Sequence, residues 1–148
     1  MIEDSKHPYL RLFHFPLSIF NFPLFSMPEL PDITIYIEAL EARLLNQTLE
    51  KIRLGNPFLL RTFEPPIGSA EGKRVVGFER IGKRIVFELE GELFLVFHLM
   101  ITGRFHWKKR GTAVPRKFGH AAFDFPMATL LLTEMGTKKR ASLHLVKG

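Results

Sequence analysis

Residues 27–46 read MPELPDITIYIEALEARLLN, and this stretch decides how the rest of the chain is interpreted. Pro31 and Asp32 suit a helix start, because proline's fixed φ fits the first turn and aspartate favours the positive end of the helix dipole. Ile33, Ile37, Leu40 and Leu44 then recur at intervals of four, three and four, which makes one apolar helical stripe. Glu38, Glu41 and Arg43 lie off that stripe, and Asn46 is placed to end the helix. A helix with one apolar side must lie on something, and the residues that follow supply it.

After Asn46 the pattern becomes β. Residues 48–54 read as a strand broken by Asn56-Pro57, and residues 61–72 (RTFEPPIGSAEG) are loop-like in their Pro and Gly content. Strands are expected at 74–79, 84–89 and 93–99, separated by short turns at Gly82 and Gly91. Further strands are expected at 103–107, 121–125 and 129–133. The fold class is therefore α+β and mostly β: a β-sandwich of about seven to eight short strands with an amino-terminal helix packed on it.

Working back from Met27, residues 1–26 look foreign to this domain. They hold five of the 15 phenylalanines together with Pro8, Pro16 and Pro23, and sustain neither helical nor strand periodicity. Acids come first and no apolar run leads to a small-residue cleavage site, so a secretory signal fits poorly. The organisation expected is an extension over 1–26, from a start assigned too far upstream, and a domain over 27–148. The 148 residues allow a real core. There is no cysteine, so disulfides and cysteine-ligated zinc are excluded within them. No apolar run approaches the roughly 20 residues that span a bilayer.

The net charge of +6 is local in origin. Residues 104–148 carry ten bases against Asp124 and Glu134, whereas 27–103 carry nine bases against eleven acids. A basic stretch of this kind attracts a polyanion such as the phosphate backbone of nucleic acid. Charge alone equally fits a solvated surface.

Chemistry enters at Met27-Pro28-Glu29. A Met followed by Pro is the kind of start from which the initiator is removed, leaving Pro28 as a free secondary amine. An α-amino group has a pKa of roughly 8, so a useful fraction is unprotonated at neutral pH and can attack a sugar aldehyde carbon. The product is an iminium ion, the electron sink of Schiff-base catalysis. Glu29 is placed to act as general acid/base. By themselves these residues fit a proline-rich helix lead-in just as well.

The wider pattern adds to them. PELPD opening an amphipathic helix resembles the start of the formamidopyrimidine-DNA glycosylase/endonuclease VIII family. RIGKRIVFEL is similar to that family's strand–turn–strand segment, with Lys83 at its lysine. His98-Leu99-Met100-Ile101-Thr102-Gly103 is similar to its His-Leu-Gly-Met-Ser-Gly, and Phe118-Gly119-His120-Ala121 sits where it has a His-Asp-His run. The likeness covers about residues 27–148 with all four elements in order. It implies a DNA glycosylase with abasic-site lyase activity in base excision repair. Pro28 would be the nucleophile and Glu29 the acid, and Lys83 would contact phosphate and assist elimination. His98 and His120 would approach the DNA backbone, Ile101 would fill the void left by a flipped nucleotide, and Lys138, Lys139 and Arg140 would form the basic loop near the family's Arg-Arg-Phe-Gly.

The sequence departs from that family in three places. Ile101 stands where the family has Met, with Met100 one position earlier. Ile is apolar enough to wedge into a stack but shorter and stiffer. The family's carboxy-terminal helix–two-turn–helix and zinc-finger region has no counterpart here, so no cofactor is expected in this chain. Residues 1–26 would make the Pro28 nitrogen an amide. His98 and His106 lie eight apart with no third ligand evident, so no metal site is expected. The partner implied is double-stranded damaged DNA, with no membrane, a monomeric state and a bacterial cytoplasmic, nucleoid-associated location. Two other readings stay open: a non-catalytic DNA-binding fragment of such an enzyme, and an unrelated basic β-domain that binds RNA or protein.

Overall fold

The computed structural model describes residues 30–148; the extension 1–26, the candidate nucleophile Pro28 and the candidate acid Glu29 lie outside the described residues. The expected helix, α1, runs Leu30–Leu44. Its buried face is Ile33, Tyr36, Ala39, Leu40 and Leu44, with Ile37 half-buried beside it. The stripe is thus centred closer to Tyr36 than Ile37. Asn46 ends the helix with φ +69°, the left-handed conformation that asparagine tolerates. Its side chain accepts from Arg74 Nη1 at 2.7 Å, tying the helix end to the first long strand.

Nine strands follow: β1 Thr48–Leu49, β2 Lys51–Leu54, β3 Lys73–Ile81, β4 Arg84–Leu89, β5 Leu93–His98, β6 Gly103–Lys108, β7 Gly119–Asp124, β8 Thr129–Glu134 and β9 Ser142–Lys147. They form two antiparallel sheets, ordered β1-β3-β4-β5-β9 and β2-β7-β8-β6. Two expectations change. The single strand over 48–54 is two strands in different sheets, turning at Glu50. Leu49 and Ile52 are both buried, three apart, which a period-two strand cannot deliver without burying Lys51 or Arg53 with them. The chain satisfies both by switching sheets. The second change is β9: Leu143 and Leu145 point into the core while Ser142 and His144 face out, and this strand pairs with β5 along its whole length.

The core lies between the sheets and is largely aromatic. Phe97 stacks near Phe87, Phe105 and Phe123 with ring centroids 4.8, 5.2 and 5.3 Å apart, drawing rings from both sheets together. Helix α1 packs on β3 and also reaches β6, through Tyr36 against Phe105 (6.1 Å) and Arg43 over Trp107 (5.9 Å). No helix among the described residues is long and apolar enough to cross a membrane.

Candidate functional site

The turns at one end of the sandwich carry most of the singled-out residues. Between β5 and β6 the chain reverses over residues 99–102, with Met100 at φ +60°. Gly103 N–H donates to Leu99 O at 2.9 Å, and a Cβ at Gly103 would stand 3.0 Å from the Leu99 carbonyl carbon. Only glycine lets this turn close so tightly. The closed turn presents Ile101 outward, 80% exposed.

Thirty-odd residues later, β8 ends at Glu134 and the chain crosses to β9 through the basic segment 135–140. Met100, Ile101 and Thr102 share one shallow groove with Glu134, Met135, Gly136, Lys138 and Arg140, of about 220 Å³. That is below the roughly 300 Å³ at which closed small-molecule pockets begin. Lys139 does not line the groove: its ammonium donates to Gly136 O and lies 5.3 Å from the Phe118 ring, and Lys117 lies 5.4 Å from the same ring.

Lys83 sits exposed in the β3–β4 turn, and His98 at the end of β5 is its electrostatic neighbour. Partial burial, then Arg84 and Lys83, lower the His98 pKa below its ordinary value. Arg84, His98 and Ser142 are aligned across β4, β5 and β9 on the outward face. His144 on that face is likewise lowered, by burial, Arg61 and Arg84. Arg61, Arg84 and His144 thus extend the basic surface that Lys83 and His98 begin. A sequence reading misses them because only strand pairing makes them neighbours.

His120 is placed differently from the expectation. It is 1% exposed, and both ring nitrogens are engaged: Nδ1 with Asn56 Nδ2 at 3.1 Å and Nε2 with Glu134 Oε1 at 2.7 Å. Because Asn56 Oδ1 accepts from Phe58 N–H, its amide nitrogen is the end that meets His120. So Nδ1 accepts and Nε2–H donates to the carboxylate. A residue so enclosed cannot reach a DNA phosphate, so the sequence expectation of a backbone contact is corrected to a buried hydrogen-bonding role. The next basic stretch, 109–118, is pinned beside it by Val114. A Cβ at Gly55 would come within 2.6 Å of Val114 Cγ1, so the missing side chain is what lets Val114 seat there.

The residue that sequence reasoning missed is Glu134. It is 1% exposed and accepts from the backbone N–H of Arg140 (3.0 Å to each oxygen) and of Ala141 (3.1 and 3.3 Å), besides His120. Burial alone would raise its pKa; the bonds from His120, Arg140 and Ala141 outweigh that and hold it below the ordinary glutamate value. A depressed folded-state pKa adds stability above the unfolded value of about 4.3, and this is lost as pH falls through the folded value. Glu134→Gln should therefore cost about 2–3 kcal/mol at pH 7, the scale of charge-assisted hydrogen bonds. Urea unfolding at pH 7, 5 and 3 should show the variant's deficit shrinking toward pH 3, and a pH-independent deficit would contradict this.

Among the described residues no three His, Asp or Glu side chains gather as metal ligands do.

Comparison with known proteins gives these features a family. Residues 27–140 match the formamidopyrimidine-DNA glycosylase N-terminal domain. The formamidopyrimidine-DNA glycosylase of Mycoplasma genitalium is 31% identical over 121 residues, covering 80% of this chain and 42% of that protein. That of Thermus thermophilus is 38% identical over 79 residues, 53% of this chain and 28% of its own. A solved complex between a variant of Lactococcus lactis Fpg and a Fapy-dG containing DNA superposes with a TM-score of 0.73 at 25% identity, covering 81% of this chain and 44% of that one. This chain thus spans less than half the length of the relatives it matches. The helix, the two sheets and the order of the motifs agree, and the chain belongs to the formamidopyrimidine-DNA glycosylase N-terminal domain family.

Proposed function

We propose that this chain provides the Schiff-base half of a DNA glycosylase with abasic-site lyase activity, acting in base excision repair on damaged duplex DNA. The observation that carries the reading is the groove in which Ile101 meets Lys138 and Arg140 from a segment distant in sequence: an exposed apolar wedge flanked by cations. A wedge fills a base stack, and the cations hold the phosphates beside it. Membership of the family removes the alternative of an unrelated basic domain binding RNA or protein. The relatives are bacterial, which favours a cytoplasmic location with the chromosome.

In this mechanism the damaged nucleotide is extruded at a cost of a few kcal/mol. The Pro28 nitrogen bonds to the sugar C1′, the glycosidic bond breaks, and the base leaves with that electron pair and a proton. Glu29 protonates the sugar ring oxygen as the ring opens, and the amine's own proton departs to leave an iminium. The iminium acidifies the C2′ proton; its removal expels the 3′ phosphate and nicks the strand. Lys83 and His98 hold the flanking phosphate.

DNA binding tests the surface separately from the chemistry. Affinity for duplex should fall linearly with the logarithm of salt concentration. Lys138→Ala with Arg140→Ala should flatten that slope by about two, near one for each phosphate no longer neutralised. An unchanged slope removes the basic loop from the interface. Salt-dependent binding with no covalent trapping, in a chain starting at Pro28, would favour a purely DNA-binding fragment.

A further inference from the structure

The lyase reading leaves the buried acid Glu134 unused. A carboxylate inside a protein is costly unless its charge is met, and here backbone and side-chain donors surround it. They come from three separate pieces of chain: the backbone at Arg140 and Ala141, the His120 ring on β7, and the Thr102 hydroxyl at 3.5 Å, next to Ile101 in the β5–β6 turn. From Arg140 the carboxylate takes the backbone amide and leaves the residue exposed. The segment between is otherwise held mainly by Lys139, whose ammonium donates to Gly136 O and lies over the Phe118 ring; Met135 is 53% exposed, and Gly136 holds φ +100° with no atom near its Cβ position. We propose that Glu134 is a positioning residue, holding the Ile101 turn and the basic loop as one rigid unit so that both enter a damaged duplex together.

Such a role rests on the reading of Ile101 as a wedge. Glutamine at 134 would keep one acceptor oxygen and turn an NH₂ toward backbone N–H groups, which repels them. The loop would then move independently of the turn while its cations stay available to phosphate. Aspartate keeps both acceptors on a shorter stem and should restore part of the unit.

The experiment uses the 148-residue chain and a duplex with 2-aminopurine opposite a tetrahydrofuran abasic analogue, whose emission rises when a wedge unstacks it. Wild type should raise emission, and Ile101→Gly sets the zero. Glu134→Gln should keep DNA affinity within about threefold at low salt, where phosphate contacts dominate. It should lose roughly half or more of the emission rise, because wedge insertion is what unstacks the base, and Glu134→Asp should recover part of it. A Glu134→Gln protein with the full rise overturns the proposal. Should that variant fail to fold, Arg140→Pro, which deletes the donor amide, is compared with Arg140→Ala, which deletes the side chain alone; equal emission from the two overturns it as well. No rise from wild type would mean that the wedge reading itself is wrong, and the positioning role falls with it.

Discussion

A chain beginning at Pro28 should be trapped by borohydride on abasic-site DNA, and the chain carrying residues 1–27 should not be trapped above background. The difference is one of kind, because Schiff-base formation needs a lone pair on nitrogen. In a terminal proline that lone pair is free whenever the amine is unprotonated, on the order of a tenth of molecules at pH 7 for a pKa of roughly 8. Within the chain it is delocalised into the peptide carbonyl and cannot attack. Trapping by the Pro28 chain should also quicken from pH 6 to 8 as the amine loses its proton. Glu29→Gln in that chain should slow base release by roughly 10²–10⁴, the range of a positioned general acid. Equal trapping by the chain from Met1 would move the nucleophile elsewhere, with Lys83 the first residue to test.

The second large effect concerns the fold. Phe97→Ala should destabilise the domain by about 3–5 kcal/mol, the range for emptying a buried aromatic site. Phe97 is fully buried and has ring neighbours on both sheets, Phe87 on its own and Phe105 and Phe123 on the facing one. Those rings are fixed by strand pairing and cannot close in without moving a sheet. Against a total of roughly 5–15 kcal/mol, the loss is a large share of the stability. Thermal unfolding by circular dichroism should show the midpoint falling by about 10–20 °C. A fall of only two or three degrees would mean that the two sheets pack less tightly than described.

Much of the fold is open to reading along the chain. The α1 stripe and the alternation of β5 follow from local periodicity, which needs no partner to be visible. The turn glycine Gly103 and the exposed Ile101 come from a contiguous segment, and the family motifs from four such segments in order. What escapes such a reading depends on distance. The period-three spacing of Leu49 and Ile52 marks a change of sheet only once two sheets exist. In β9 the alternation of Leu143 and Leu145 is legible, yet the basic run before it reads as loop. His120 as a phosphate contact fails for the same reason: exposure is a property of the neighbours.

The amino-acid sequence by itself determined the family, the helix and the candidate nucleophile, because each rests on residue type and short spacing. The tertiary structure alone decided that Ile101 shares a groove with Lys138 and Arg140, and that His120 is enclosed while Arg61, Arg84 and His144 join one surface. It also decided that Glu134, one acid in a basic stretch, is a buried acceptor beside that groove and bonded to His120. Hydrogen bonds and charges act over a few ångströms of space whatever the separation along the chain, so only the folded pairing of strands determines which groups they join.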